Sequence, residues 1–172
     1  VLAVKENQMN RYGIRLVYSI DIPEELPFDK TDLCALFANA LDNAMEACRQ
    51  SGEGNRERNN GEGNNEERNS GEGNNEERSS GEGNNAITLE SRAQKGLFCL
   101  NVRNPIAGAC QEIQYHSLTD GPLPASSKQD KQTHGLGLKS MLEIVRKYQG
   151  EMELKTENGM AELFLYMPMY SK

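Results

Sequence analysis

Between Ser51 and Asn85 the chain carries no aliphatic, aromatic or cysteine side chain. Nothing in that segment can be buried to offset roughly 1–2 kcal/mol of backbone entropy per ordered residue. Any core must therefore come from the two blocks on either side. The motif GEG recurs at Gly52, Gly61, Gly71 and Gly81, on a repeat built on G-E-G-N-N-E-E-R, and 9 Glu against 4 Arg give the segment minus five of the chain's net minus seven. A calcium-binding solenoid needs an apolar residue and an Asp ligand in each turn, and both are missing. The pattern predicts a disordered insertion at a surface turn, where closure cost rises only with the logarithm of loop length. The remaining residues, about 137, suit one domain with one core.

The acidic balance, with no stretch that concentrates Lys and Arg into one face, argues against nucleic acid as a partner. No run of about 18 apolar residues and no signal-peptide pattern is present. Cys34, Cys48, Cys99 and Cys110 lack CxxC spacing and sit among apolar neighbours, so they read as reduced core residues of a cytosolic protein rather than a zinc site.

In the first block, Val1 to Tyr12 reads as a polar helix cut from a longer one upstream. Ile14, Leu16, Tyr18, Ile20 and Ile22 alternate with polar residues as in a strand with one buried face, ended by Pro23 and Pro27. Asp29 is placed to cap a helix running from Lys30 to about Gln50, with Asp32 in its first turn. In the second block, 87–92 and 97–103 read as strands joined around Gly96. Residues 105–133 hold many Gly, Pro, Ser and Lys with little periodicity, the mark of a functional lid or disorder. A helix follows with Leu138, Met141, Leu142, Val145 and Tyr148 on one stripe and Gly150 as its stop. The segment 151–168 is two strands meeting at Asn158-Gly159, a strong hairpin signal. This order predicts an α/β (α+β) two-layer sandwich, a mixed, mostly antiparallel sheet with helices on one face.

Two elements carry chemistry. On the helix after Asp29, Leu33, Leu36, Phe37, Leu41, Ala44, Met45 and Cys48 leave one polar stripe of Asn39, Asp42, Asn43 and Glu46. Buried amides and carboxylates without partners cost roughly 1–3 kcal/mol each. The stripe therefore faces a polar ligand, a metal ion or an internally satisfied network. The second element, His134-Gly135-Leu136-Gly137-Leu138, opens a helix whose unpaired first-turn N–H groups suit an anion such as a phosphate chain. Two glycines before a helix also occur as a plain turn. Neither GxxxxGK[ST] nor GxGxxG after a strand is present, which removes P-loop and Rossmann alternatives.

Together and in this order, N-A-L-D-N-A-M-E-A-C and H-G-L-G-L-K-S-M resemble the N box and G2 box of the GHKL, or Bergerat-fold, ATPases. Within that superfamily they look like the ATP-binding domain of sensor histidine kinases of the peptide quorum-sensing receptor type, accessory gene regulator C-like. The resemblance spans Gly13 to Pro168 apart from the insert. It implies residues 1–12 as the end of an upstream dimerisation helix, 13–172 as the catalytic domain, 51–85 as an insertion and 105–133 as the ATP lid.

The resemblance also implies the cofactors ATP and Mg²⁺ and a set of site residues. Asn39 and Asn43 are the catalytic pair, with Asn43 the Mg²⁺ ligand and Asn39 standing where hydrolysing relatives carry a glutamate base. An amide cannot take that proton, which favours transfer to another nucleophile over water attack. Asp42, Asn104, His134, Gly135, Leu136, Gly137, Leu138 and Lys139 join them as ATP-binding positions, Asn104 at the adenine edge. Three departures stand out: Glu46 replaces a common basic residue, N-V-R-N-P replaces DxGxG, and Thr133 replaces the first glycine of GxGLGL. Phosphate neutralisation then falls to Lys128, Lys131 or Lys139.

His116 and His134 are not the phosphoacceptor, which the resemblance places on an upstream helix that Val1 begins too late to include. The implied partners are those dimerisation helices, a response regulator and a second copy in the full-length homodimer. The implied location is the cytoplasmic side of a membrane-bound receptor kinase. A nucleotide-binding pseudokinase and an anti-sigma-factor serine kinase are the alternatives.

Overall fold

The computed structural model describes residues 1–59, 85–106, 116–119 and 136–170. Expectations for Cys110, Lys128, Lys131, Thr133, His134 and Gly135, for the repeat beyond Asn59 and for most of the lid fall outside these residues. The described elements are α1 (Leu2–Asn10), β1 (Arg15–Asp21), α2 (Lys30–Asn59), β2 (Ala86–Gln94), β3 (Leu97–Pro105), β4 (His116–Ser117), α3 (Leu136–Lys147), β5 (Glu151–Glu157) and β6 (Met160–Pro168). They form a six-stranded sheet in the order β1-β2-β3-β6-β5-β4. β1 and β2 are parallel, joined through α2, and every other pair is antiparallel. This is the predicted mixed, mostly antiparallel sandwich.

Strand alternation builds the core. Leu16 pairs with Ile87, Leu89 with Val102, Val102 with Leu163, and Leu100 with Leu165, which also pairs with Met152. All are buried on one face of the sheet, as a period of two requires. Leu36, Phe37, Ala40, Leu41, Ala44 and Cys48 of α2 and Met141, Leu142, Ile144 and Val145 of α3 join them in a single cluster. Phe98 sits at its centre, edge-on to Phe28 and Phe37 with ring centroids 5.7 and 6.4 Å away.

Both hairpins turn through two residues of positive φ, Lys95-Gly96 and Asn158-Gly159, the geometry that matches strand twist.

Several expectations need correction. Tyr18 and Ile20 share the parity of Leu16 yet are exposed, because β1 is the edge strand and the core reaches only its start. Cys34 is exposed, so it is no core residue, whereas burial pushes the Cys48 thiol up to about 11. α2 continues to Asn59 instead of stopping near Gln50. Extending a formed helix adds one hydrogen bond per residue fixed, without a new nucleus. That carries helical backbone over Gly52 and Gly54, although glycine costs about 1 kcal/mol at each position. The lid region contains a short strand, β4, that pairs with β5; two residues leave no periodicity to read. Among the described residues no helix is long and apolar enough to cross a membrane.

The two long helices are stapled end to end. Asp29 caps α2 as expected, its carboxylate accepting the Thr31 N–H at 2.7 Å. Asp32 accepts from Lys147 Nζ at 2.6 Å and from the Tyr148 hydroxyl at 2.7 Å, and that hydroxyl accepts the Asp29 N–H at 3.0 Å. Lys147, then Tyr148, hold the Asp32 carboxyl below its ordinary value of 3.8. A depressed folded pKa contributes stability above the unfolded value and loses it as pH falls through the folded one. Tyr148→Phe is expected to cost about 1–2 kcal/mol in urea denaturation at pH 7. The variant should also lose less further stability than the parent on acidification below about pH 4.

Candidate functional site

Residues 39 and 43 are one turn apart on α2. Asn39 is half-buried and Asn43 exposed, and both carry their amide oxygens toward the first turn of α3. A Cβ built on Gly137 would stand 3.3 Å from Asn43 Oδ1 and 3.5 Å from Asn39 Oδ1. Glycine at 137 therefore lets the α3 backbone close on the two amides while keeping the space between them clear. No hydrogen bond joins either amide to another described residue. An internally satisfied network is thus not what these two side chains form.

Asp42 does something else. Its carboxylate accepts from Lys5 Nζ of α1 at 2.6 Å, so the polar stripe predicted on α2 is split between two neighbours. Asn39 and Asn43 face α3, and Asp42 faces α1. Arg49 adds a second link, its guanidinium 4.4 Å above the Tyr12 ring. Lys5 carries no signal in the sequence, since its partner lies 37 residues away.

α3 presents its N-terminus to the amides without an acid in its first turn, and it carries Arg146 and Lys147 in its last. The unpaired N–H groups and the helix dipole leave that end favourable to an anion. Of the other predicted positions on α3, Leu136 is 62% exposed, Leu138 packs against the core, and Lys139 is exposed with its amine 4.0 Å from Glu143.

At the same end of the sheet, Asn104 is buried on the helix-facing side, and its Nδ2 donates to the Pro105 carbonyl at 2.9 Å. It pairs with Ala161, which pairs in turn with Thr156. Thr156 is the lone polar residue at the inward positions Met152, Leu154 and Thr156 of β5. That break in alternation was readable in the sequence, but sequence reading did not single it out.

A separate cavity of about 850 Å³ lies between the start of α1, the end of β1 and the first half of α2, lined by Leu2, Ile20, Leu26, Phe28, Leu33 and Cys34 among others. It contains none of the predicted site residues.

A family model described as a GHKL domain matches residues 74–168, more than half of the 172. The chain belongs to the GHKL domain family. The match begins after the two asparagines of α2, so their place in a GHKL domain rests on the fold. There the likeness covers nearly the whole chain. The catalytic domain of histidine kinase ThkA superposes with a TM-score of 0.60 at 16% identity, over 97% of this chain and 86% of that one. Full-length ShkA in complex with AMPPNP gives 0.56 at 15% identity, over 99% of this chain and 28% of that one. Histidine kinase AdeS of Acinetobacter baumannii gives 0.51 at 14% identity, over 99% of this chain and 61% of that one. No curated protein matches the sequence. At these identities the likeness establishes the fold of this GHKL domain, which is that of histidine-kinase catalytic domains.

Proposed function

We propose that this GHKL domain binds Mg-ATP between α2 and α3 and donates the γ-phosphoryl group to a histidine on a separate dimerisation helix, as the catalytic domain of a sensor histidine kinase. The observation that carries this reading is the convergence of two amide oxygens, unbonded to other described residues, on a glycine in the first turn of a helix whose N-terminus has no acid of its own. That arrangement supplies hydrogen-bond donors for a phosphate chain on one side and hard, neutral oxygen donors on the other.

The donor set fits a magnesium ion that is shared with phosphates. Among the described residues no group of three His, Cys, Asp or Glu could hold a metal, and Asn43 provides one amide ligand while phosphate oxygens provide the charge. Bound there, the ion would neutralise charge on the transferring group. Asn39, an amide, cannot deprotonate water near neutral pH. The γ-phosphorus is thereby left to an incoming imidazole nitrogen: the N–P bond forms as the bond to the β,γ-bridging oxygen breaks and ADP leaves. The protein's contribution is positioning and charge stabilisation. Asn104 holds the base end, and the α3 N–H groups with Gly137 hold the phosphates. Lys139 of α3 is the candidate charge beside them, and the family resemblance assigns His134 and Gly135 to the same phosphates.

In the full protein we assign the domain to a homodimeric receptor kinase of the peptide quorum-sensing type, on the cytoplasmic side of a membrane, with a response regulator as phosphoryl acceptor downstream. The test mixes this protein with a fragment carrying the dimerisation helices and γ-³²P-ATP. Acid-labile, base-stable label on a histidine of the fragment is the expected result. ATP binding without label would make the domain a nucleotide-binding module that transfers nothing.

A further inference from the structure

β1 lies at one end of the sheet, with β2 as its sole neighbour among the described strands. Edge strands are ordinarily kept from pairing by bulges, proline, lysine or an inward-pointing charge. β1 has none of these. Its seven residues, R-L-V-Y-S-I-D from Arg15 to Asp21, hold no proline, glycine or lysine and pair with β2 in one unbroken register. The positions of core-facing parity are Leu16, Tyr18 and Ile20, all apolar or aromatic. Every residue of the strand except Leu16 is exposed, Val17, Tyr18 and Ile20 included.

The direction of each backbone group follows from one hydrogen bond. Arg15 N–H donates to the Asn85 carbonyl at 3.0 Å, and in a parallel ladder a residue that donates to its neighbour strand also accepts from it, while the next residue turns away. Arg15, Val17, Ser19 and Asp21 therefore bond toward β2. The N–H and C=O groups of Leu16, Tyr18 and Ile20 point to the open side, where no described residue bonds to them.

The strand is complementary to itself. In an antiparallel, twofold pairing centred on Tyr18, Leu16 stands opposite Ile20 of a second copy and Tyr18 opposite its own equivalent. Every outward N–H and C=O of β1 then has a partner in a hydrogen-bonded pair, and the overlap runs the full length of the strand. At the two ends Arg15 stands opposite Asp21 of the second copy, twice by symmetry, in the closer, non-hydrogen-bonded positions. Both side chains are exposed, and neither forms an ion pair with another described residue. Moving the centre to Val17 puts Arg15 opposite Ser19, and moving it to Ser19 puts Asp21 opposite Val17, so either shift loses both charge pairs. We propose that β1 is a self-pairing edge, through which two copies of this domain join their six-stranded sheets into one continuous sheet about a twofold axis at Tyr18. Tyr18 and Ile20, left uncovered by the helices of their own copy, gain cross-strand neighbours from the other. α3 packs on β5 and β6, toward the opposite edge. The pairing therefore leaves the proposed nucleotide site open and does not depend on that reading.

The test is sedimentation velocity on the intact protein from about 10 μM to 1 mM, because one strand per copy makes a small interface of the weak class. Wild type should pass from monomer to dimer over that range. Arg15→Glu sets carboxylates against each other at both ends of the pairing, and Asp21→Lys does the same with cations. Each variant alone should dimerise roughly tenfold more weakly or worse. Mixed in equal amounts, the two should recover the dimer, since the new glutamate then meets the new lysine and the remaining Asp21 meets the remaining Arg15. Tyr18→Pro removes an N–H that β2 does not use, so it should keep the wild-type circular dichroism and stay monomeric. A wild type that is monomeric at the highest concentration overturns the proposal without any variant. A dimer indifferent to these substitutions, or folded charge variants that mixing does not rescue, overturns it equally.

Discussion

In Asn43→Ala, ATP affinity measured calorimetrically with Mg²⁺ present is expected to fall by roughly ten- to a hundredfold, the range for losing an interaction with a charged group worth about 1.5–3 kcal/mol. The same variant should keep its melting temperature. Asn43 is exposed and bonds to no other described residue, and surface changes of that kind stay within about 0.5 kcal/mol. The informative comparison is with metal removed. If Asn43 acts as a ligand to the ion, chelation with EDTA lowers the wild-type affinity toward that of the variant and leaves the variant almost unchanged. Equal losses on chelation in both proteins would detach Asn43 from the metal.

The second large effect is structural. Gly150→Ala is expected to cost about 3 kcal/mol or more, in the range reserved for overpacked or strained positions, seen as a collapse of the urea midpoint or failure to fold. A Cβ there would lie within the van der Waals shell of the Tyr166 carbonyl oxygen and 3.0 Å from Met167 Cγ. The carbonyl belongs to β6 and cannot swing aside. The residue in the left-handed region at this helix end is Gln149, at φ 57°. Gly150 N–H bonds to the Val145 carbonyl at 2.9 Å, and Gln149 N–H to that of Arg146 at 3.0 Å, the doubled closure of a Schellman motif. Two further variants separate the causes. Gly150→Asn should be as damaging as Gly150→Ala, since asparagine's tolerance of positive φ is no help against a collision. Gln149→Gly should hold stability or raise it by up to about 1 kcal/mol.

Gly150 also marks where sequence reading stops. Its position as the end of α3 was legible, because a helix-period stripe gives way there to alternation. Its reason was not, since the clash comes from a strand 16 residues downstream that only pairing brings near. Local signals fared well elsewhere: the Asn158-Gly159 turn, the Asp29 cap and the existence of β2, β3, β5 and β6 as strands all follow from chemistry within a few residues. That Asn39 and Asn43 share a helix face was legible because they lie one turn apart. The shared stripe did not extend to Asp42, whose carboxylate is taken by a lysine on another helix.

The links between α1 and α2 have a geometrical corollary. Lys5 and Tyr12 are seven residues apart, as are their partners Asp42 and Arg49, so the two segments run parallel with matched teeth. Sliding α1 along its axis by one turn, about 5.4 Å, would unseat both teeth in the same stroke. The tooth at Asp42 is the immediate neighbour of Asn43, so such a movement would be felt first one residue from the proposed ligand of the ion.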